Sequence, residues 1–281
     1  MKPAPSKLLT NLNLCPTSLH ANETGRDIVI GDLHGELSSL DRLLEVLRFD
    51  PSCDRVIAVG DLCDHGTRSI DALALLDRPW FFSVMGNHEL MLLDRLNRAR
   101  RCAGEGDHGL GRFLEAIRAE CHGAGGSWQL EWLEASARQS EPASIERKLR
   151  TLPFALRIHG CDFTDSVIHA ELTPRLERWL MADADDDDRL LSQLDLVHGL
   201  TSRIAAAKAK QSGEPILPND RVAPMPETSG MTLCGHTPMP CAMKDGASIF
   251  IDTGNGRRDV AYARLSAFIC QERRVVTAFP S

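Results

Sequence analysis

Apolar residues along this chain gather in short runs separated by polar or glycine-containing stretches: Asp27-Ile28-Val29-Ile30, Val56-Ile57-Ala58-Val59, Phe81-Phe82-Ser83-Val84, Ser166-Val167-Ile168, Met231-Thr232-Leu233-Cys234 and Ser248-Ile249-Phe250-Ile251. Runs this short, β-branched and flanked by glycine or polar residues predict buried strands. Between the first three, Leu37, Leu40, Leu43, Leu44 and Leu47 fall three or four apart, and Ile70, Leu73 and Leu76 do the same. That is the spacing of a helix face. The resulting order, strand-helix-strand-helix-strand, predicts an α/β fold with a sheet held between helix layers. From about Met91 to Arg150 the chain is rich in Arg, Glu, Leu and Ala and is broken once, by Gly123-Ala124-Gly125-Gly126 before Trp128. This stretch reads as a helical insertion at 91–150, devoted to core packing with solvated charge outside rather than to catalysis.

Residues 1–25, rich in Asn, Ser, Thr and Pro without a sustained period, read as a loosely ordered lead-in, leaving 26–281 as a single domain. The acidic run at 183–188 lacks the alternating ligand spacing and turn glycine of a calcium loop, so a solvated loop is expected. Gln211 to Gly230, rich in Pro, Ser and Glu, predicts a surface loop, and no internal repeat is visible.

Composition sharpens the class. A chain of 281 residues, 43% hydrophobic and 25% charged, can bury a sizeable core. Its formal charge of -7 gives no general reason to bind a nucleic-acid polymer. Nine cysteines without a Cys-x-x-Cys pair read as reduced thiols of a cytoplasmic protein and disfavour a zinc finger. No run of eighteen apolar residues exists, and Met1 to Arg26 is polar, so neither membrane insertion nor export is expected.

The chemistry sits where the apolar runs end. The first runs into Gly31-Asp32-Leu33-His34-Gly35, the second into Gly60-Asp61-Leu62-Cys63-Asp64-His65-Gly66, and the third into Gly86-Asn87-His88-Glu89. Later runs deliver His169-Ala170 and Gly235-His236-Thr237. In an open α/β sheet the carboxyl ends of strands face one crevice, so these loops should converge. Carboxylates, an amide oxygen and imidazoles together suit divalent ions such as manganese, iron or zinc. The set exceeds the four to six ligands of one ion and fits a two-metal centre with ions roughly 3.5 to 4 Å apart. Such a centre makes hydroxide from a bridging water near neutral pH and neutralises an attacked phosphoryl group, so phosphoester hydrolysis follows.

These five motifs in this order, with Ile251-Asp252-Thr253-Gly254 as a closing strand, resemble the PPP-type, calcineurin-like metallophosphoesterases over roughly Asp27 to Asp252. The likeness is strongest to small bacterial and phage serine/threonine protein phosphatases. The resemblance implies a layered β-sheet core flanked by helices, and two divalent ions per chain, manganese first and iron or zinc otherwise. Asp32 and His34 would bind the first ion, Asp61 would bridge both, and Asn87, His169 and His236 would complete the second. His88 would be the general acid that protonates the departing oxygen, with Asp64 orienting it and raising its pKa. The implied reaction is attack of a metal-bridged hydroxide on a phosphomonoester, carried by a phosphoprotein or a small molecule.

Three positions depart from the resemblance. Where relatives end the second motif Asp-Arg-Gly, this chain has Asp64-His65-Gly66, and Met85 stands where relatives usually carry an arginine. A second phosphate-gripping arginine has its nearest match in Leu200-Thr201-Ser202-Arg203, without the tryptophan of relatives. His65 then reads as a softened phosphate clamp, an additional acid, or drift in a protein of lowered turnover; the first is preferred. Two alternative functions stand beside the phosphatase: a symmetrical dinucleoside tetraphosphate hydrolase, and a metal-binding pseudophosphatase scaffold. Outside the motifs, His20, His108, His122, His159 and His198 read as structural, Glu89 as fixing its loop, Trp80 and Phe81 as core, and Cys63 and Cys234 as packing beside the ligands.

Overall fold

The computed structural model describes residues 16–123, 126–139, 143–171, 200–222 and 230–279. The first half runs β1 (Thr17–Leu19), β2 (Asp27–Ile30), α1 (Leu37–Leu47), β3 (Arg55–Ala58), α2 (Ser69–Ala74), a 3-10 turn (Leu75–Asp77) and β4 (Phe81–Ser83). Four helices follow: α3 (Asn87–Gly104), α4 (Asp107–Gly123), α5 (Trp128–Ala137) and α6 (Ser144–Thr151). The remainder is β5 (Ala155–His159), β6 (Thr164–Ile168), α7 (Ile204–Ser212), β7 (Glu214–Ile216), β8 (Thr232–Cys234), β9 (Ala242–Asp245), β10 (Ser248–Phe250), β11 (Leu265–Ile269) and β12 (Arg274–Ala278).

The strands form two sheets, in the orders β12-β11-β2-β3-β4 and β1-β5-β6-β8-β10-β9-β7. In the first, β2, β3 and β4 are parallel; in the second, β6, β8 and β10 are parallel. Side chains alternate across each strand. Ile28, Ile30, Val56 and Ala58 pack with Leu37, Leu40, Leu43 and Leu47 of α1. Val29, Ile57 and Val59 point the other way, into a core shared with Leu156, Ile158, Val167, Leu233 and Ile249 of the second sheet. Each strand is therefore buried on both faces, which is why its sequence is continuously apolar rather than alternating. A fully buried Leu or Ile contributes roughly 1.5 to 3 kcal/mol, so these two layers dominate the stabilisation.

This corrects one expectation. The apolar runs predict a sheet between helix layers, whereas among the described residues each sheet has helices on one face and meets the other sheet on the opposite face. The second helix is also shorter than its spacing suggests: α2 has six residues and leaves Ile70 exposed. Thr17–Leu19, inside the segment read as a lead-in, pairs in parallel with β5. Glu214–Ile216, inside the segment read as a surface loop, pairs with β9, while residues 223–229 and the acidic run at 183–188 lie outside the described residues.

Between β4 and β5 the chain is helical, as its composition suggests, and the first helix begins within the third motif, at Asn87. Leu96, Ala99, Leu110, Phe113, Ile117 and Leu133 give α3, α4 and α5 a core of their own. Among the described residues no helix is long and apolar enough to cross a membrane.

Candidate active site

The three parallel strands of each sheet end at one place. β2 leads to Asp32 and His34, β3 to Asp61 and Asp64, β4 to Asn87 and His88, β6 to His169, β8 to His236 and β10 to Asp252. The turns that deliver these groups are tight. His34, Asp61, Asp64, His65 and His236 all have positive φ, between 48° and 73°, a region L-residues avoid at a cost of roughly 1 to 3 kcal/mol each. Two glycines make the approach possible: a Cβ on Gly86 would collide with the Asp61 carboxylate, and one on Gly235 with that of Asp32.

Asp61 is the hub. Its Oδ1 accepts the His88 backbone N–H at 2.9 Å, at the N-terminus of α3, where helix N–H groups lack intrahelical partners. Its Oδ2 lies 3.4 Å from His169 Nε2, 3.9 Å from His88 Nε2 and 4.0 Å from His34 Nε2. On one side, Asp32, His34 and Asp61 bring donor atoms within 4.8 Å of one another; on the other, Asp61, His169 and His236 do the same. Asn87 Oδ1 joins the second group, 2.9 Å from His169 Nε2 and 2.8 Å from His236 Nδ1.

Backbone carbonyls orient the imidazoles. His34 Nδ1 donates to Cys63 O at 2.9 Å and His169 Nδ1 donates to Val59 O at 2.7 Å, so each ring turns Nε2 toward the carboxylates. This outer hydrogen bond is what fixes a metal-binding histidine's tautomer. Burial drives the His34 pKa down to about 3 and that of His236 to about 4, with neighbouring imidazoles adding to the effect. Both rings are neutral at pH 7, the state in which imidazole ligates. Buried carboxylates and imidazoles facing one another across Asp61 form a donor set that fits two divalent ions.

His88 stands beside this set. Its Nδ1 lies 2.7 Å from Asp64 Oδ2. Burial opposes its charge, yet Asp61 and Asp64 outweigh burial and carry its pKa up to about 9. Burial likewise works against ionisation of Asp64, and the His88 hydrogen bond holds its carboxyl below the usual range. Glu89 is buried and accepts the N–H groups of Asp61 and Leu62 at 2.8 Å and of Gly86 at 3.0 Å, so it ties the second motif to the third.

The helical insertion reaches this pair directly. Gln129 Nε2 donates to Asp64 Oδ1 at 2.6 Å, Trp128 Nε1 donates to the same oxygen at 3.2 Å, and Arg95 Nη1 holds Gln129 Oε1 at 2.8 Å. The insertion, expected from its sequence to serve packing, thus contributes two residues to the site, Trp128 and Gln129. The glycine break before Trp128 was the one signal available.

His65 is half-buried, its ring 4.5 Å from that of His34 and 5.4 Å from that of His88. Burial, then the charges of His88 and Arg257, lower its pKa. Arg203 is exposed at the N-cap of α7, near enough for its charge to act on His236. Asp252 is buried, and burial brings its pKa up to about 6. Met85 is a core residue. His20, His108 and His159 take no part in the site, and His198 lies outside the described residues.

A family model for calcineurin-like phosphoesterases matches residues 26–240. Serine/threonine-protein phosphatase 2 of Escherichia coli (strain K12) is 34% identical over 143 residues, covering 51% of this chain and 57% of that protein. The symmetrical bis(5'-nucleosyl)-tetraphosphatase of Dechloromonas aromatica (strain RCB) is 47% identical over 66 residues, covering 23% of this chain and 24% of that one. The match thus spans less than two thirds of either relative's length. Among solved structures, that of a candidate diadenosine tetraphosphatase superposes with a TM-score of 0.53 at 22% identity, covering 94% of this chain and 97% of that one, a likeness of fold. With the family match running from the residue before β2 through the His236 loop, this chain belongs to the calcineurin-like phosphoesterase family.

Proposed function

We propose that the chain is a metal-dependent phosphatase that hydrolyses phosphomonoesters, with phosphoserine or phosphothreonine in proteins as its substrate class. One observation carries the reading: His88 is held by Asp64 through Nδ1 at 2.7 Å while its Nε2 faces the shared carboxylate of Asp61 at 3.9 Å. Asp32, His34 and Asp61 would hold one divalent ion, and Asp61, Asn87, His169 and His236 the other. When bound, such a pair supplies activation of the nucleophile and neutralises the phosphoryl charge.

The side chains do the rest. His88 keeps a proton at Nε2 near neutral pH and gives it to the departing alcohol oxygen; Asp64 retains the proton at Nδ1 and so fixes which nitrogen donates. His65, with its lowered pKa, offers a neutral donor to the phosphate where a guanidinium would offer a fixed charge. Arg203 supplies a permanent cation on the His236 side. Manganese is the proposed ion, and the cytoplasm the proposed compartment, in keeping with free thiols at all eight described cysteines.

A second reading, hydrolysis of a dinucleoside tetraphosphate, draws on the 47% identity over 66 residues to a tetraphosphatase. Phosphate release from an alkyl phosphate with added manganese tests the first step: turnover in the parent chain and its loss in His88→Asn are expected, and no turnover on this or on p-nitrophenyl phosphate would favour a scaffold. Phosphopeptide assayed beside diadenosine tetraphosphate then separates the two enzymes.

A further inference from the structure

A cleft opens beside His65, walled by three segments distant in sequence: His65 to Thr67, the stretch that carries His122, Ser127 and Trp128, and Arg257 to Asp259. Two of its wall residues belong to the surroundings of the general-acid pair. His65 packs 5.4 Å from the His88 ring, and Trp128 donates to Asp64, the partner of His88. The cleft therefore adjoins the side of the site from which a proton would reach the leaving oxygen.

The third wall is built onto the ligand loop. Asn255 Nδ2 donates to Leu33 O at 2.8 Å, and Gly256, with φ +70°, lies against His34 so closely that a Cβ there would come within 2.9 Å of the His34 Cβ and carbonyl oxygen. A side chain at 256 would lift this segment off. Arg257, the next residue, is consequently set at the mouth of the site; its side chain is 22% exposed and its charge acts on His65, Asp252 and Asp32. Asp259 fastens it, accepting from Nε at 3.0 Å and from Nη2 at 2.6 Å, which leaves the other edge of the guanidinium to a ligand. Arg258 is exposed on the same wall, so two fixed cations face one carboxylate that is already engaged.

From this geometry we infer that Arg257, with Arg258, forms a specificity site for an anionic group carried by the leaving group: a carboxylate or a second phosphate beyond the scissile bond. The inference rests on the phosphoesterase reading and deepens it. A forked guanidinium pairs with carboxylate or phosphate through two hydrogen bonds.

The test compares leaving groups that differ only in charge, using the full chain with added manganese. A phosphoserine peptide flanked by aspartates is set against the same peptide with asparagines, and diadenosine tetraphosphate forms a parallel arm. The parent chain is expected to prefer an anionic leaving group in kcat/KM by about tenfold, mainly through KM, because one charge-assisted contact is worth about that factor. Arg257→Ala should erase the preference and Arg257→Lys should keep part of it. A fall in kcat/KM of Arg257→Ala confined to the aspartate peptide identifies carboxylate as the anion, and one confined to diadenosine tetraphosphate identifies phosphate. Calorimetric titration with the dephosphorylated aspartate peptide and with ADP gives a readout independent of turnover, and weaker binding of one of them to Arg257→Ala is expected. Equal kcat/KM for charged and neutral peptides in the parent chain, or a preference that survives in an Arg257→Ala/Arg258→Ala double variant of unchanged Tm, would overturn the cleft. Absence of all turnover would instead overturn the phosphoesterase reading, and the titrations would still judge the cleft.

Discussion

Two walls of the site were built in different ways. The floor is made of single residues placed one to six positions after a parallel strand, held by tight turns and by backbone partners such as Val59 O and Cys63 O. The rim is made of side chains from a helical insertion and a late loop, Gln129, Trp128 and Arg257, each reaching the floor across more than sixty positions of sequence. The floor holds groups that any phosphoester reaction of this type needs. In the proposed function the rim adjusts them: Gln129 and Trp128 hold Asp64, and Arg257 sets the charge beside it. Substitutions in the floor should therefore abolish chemistry, and substitutions in the rim should tune it.

The largest effect is expected at the hub. Asp61→Asn removes the carboxylate shared by both candidate metal groups, and kcat for p-nitrophenyl phosphate should fall by roughly a thousandfold or more, since metal-assisted charge stabilisation is worth several kcal/mol. Manganese content after dialysis, measured by mass spectrometry, should drop in parallel. Retained content with retained activity would break the distinction between floor and rim at its strongest point. Next comes His88→Asn. It should cost on the order of a hundredfold or more with an alkyl phosphate, whose leaving oxygen needs a proton, and less with p-nitrophenyl phosphate, whose leaving group does not. Equal losses on both would show that His88 does something other than donate.

The rim is tested by Gln129→Leu. Losing the 2.6 Å hydrogen bond leaves Asp64 Oδ1 to Trp128 alone, and kcat for an alkyl phosphate should fall by about tenfold with KM little changed. In an Asp64→Asn background the same change should add nothing, because the two act through one contact. An additive loss would mean that Gln129 works elsewhere. His65→Arg should act in the opposite direction, lowering KM for p-nitrophenyl phosphate by a few fold by supplying a fixed charge; an unchanged or raised KM would remove the idea that position 65 grips phosphate.

The same division explains what could be read in advance. Asp32, His34, Asp61, Asn87, His88, His169 and His236 were legible because a ligand just beyond a short apolar run is local information, and the sheet carries every such run to one edge. The sheet-on-sheet core was not legible. Val29 and Ile30 are equally apolar, and nothing local says that one faces a second sheet and the other α1. Strand β1 escaped notice because Thr17–Leu19 is too short to declare a period and is held by its partner β5. Gln129 and Arg257 were invisible for a different reason: their roles depend on where a helix and a loop dock, which only tertiary packing decides.

The smallest effect concerns how the rim itself is held. Glu146 of α6 is 1% exposed and accepts both Arg100 guanidinium nitrogens of α3 at 2.6 Å, with Arg150 Nε at 3.0 Å. Burial works against its charge, but the hydrogen bonds from Arg100 and Arg150 prevail and hold its carboxyl below the ordinary glutamate value of 4.5. A group depressed in the folded state adds stability that is complete above its unfolded pKa and is lost as pH falls through the folded value. Glu146→Gln should therefore lower Tm by roughly 2 to 4 °C at pH 7, and the gap to the parent chain should narrow as the pH falls below the ordinary glutamate value of 4.5 and through the depressed folded value. Because α3 also carries Arg95, which holds Gln129, the same variant should lose a modest share of kcat at pH 7, well short of that lost in Gln129→Leu. A gap in Tm that persists unchanged to pH 3 would assign the stability to packing of the side chain rather than to its charge, and the rim would then be held by its apolar core alone.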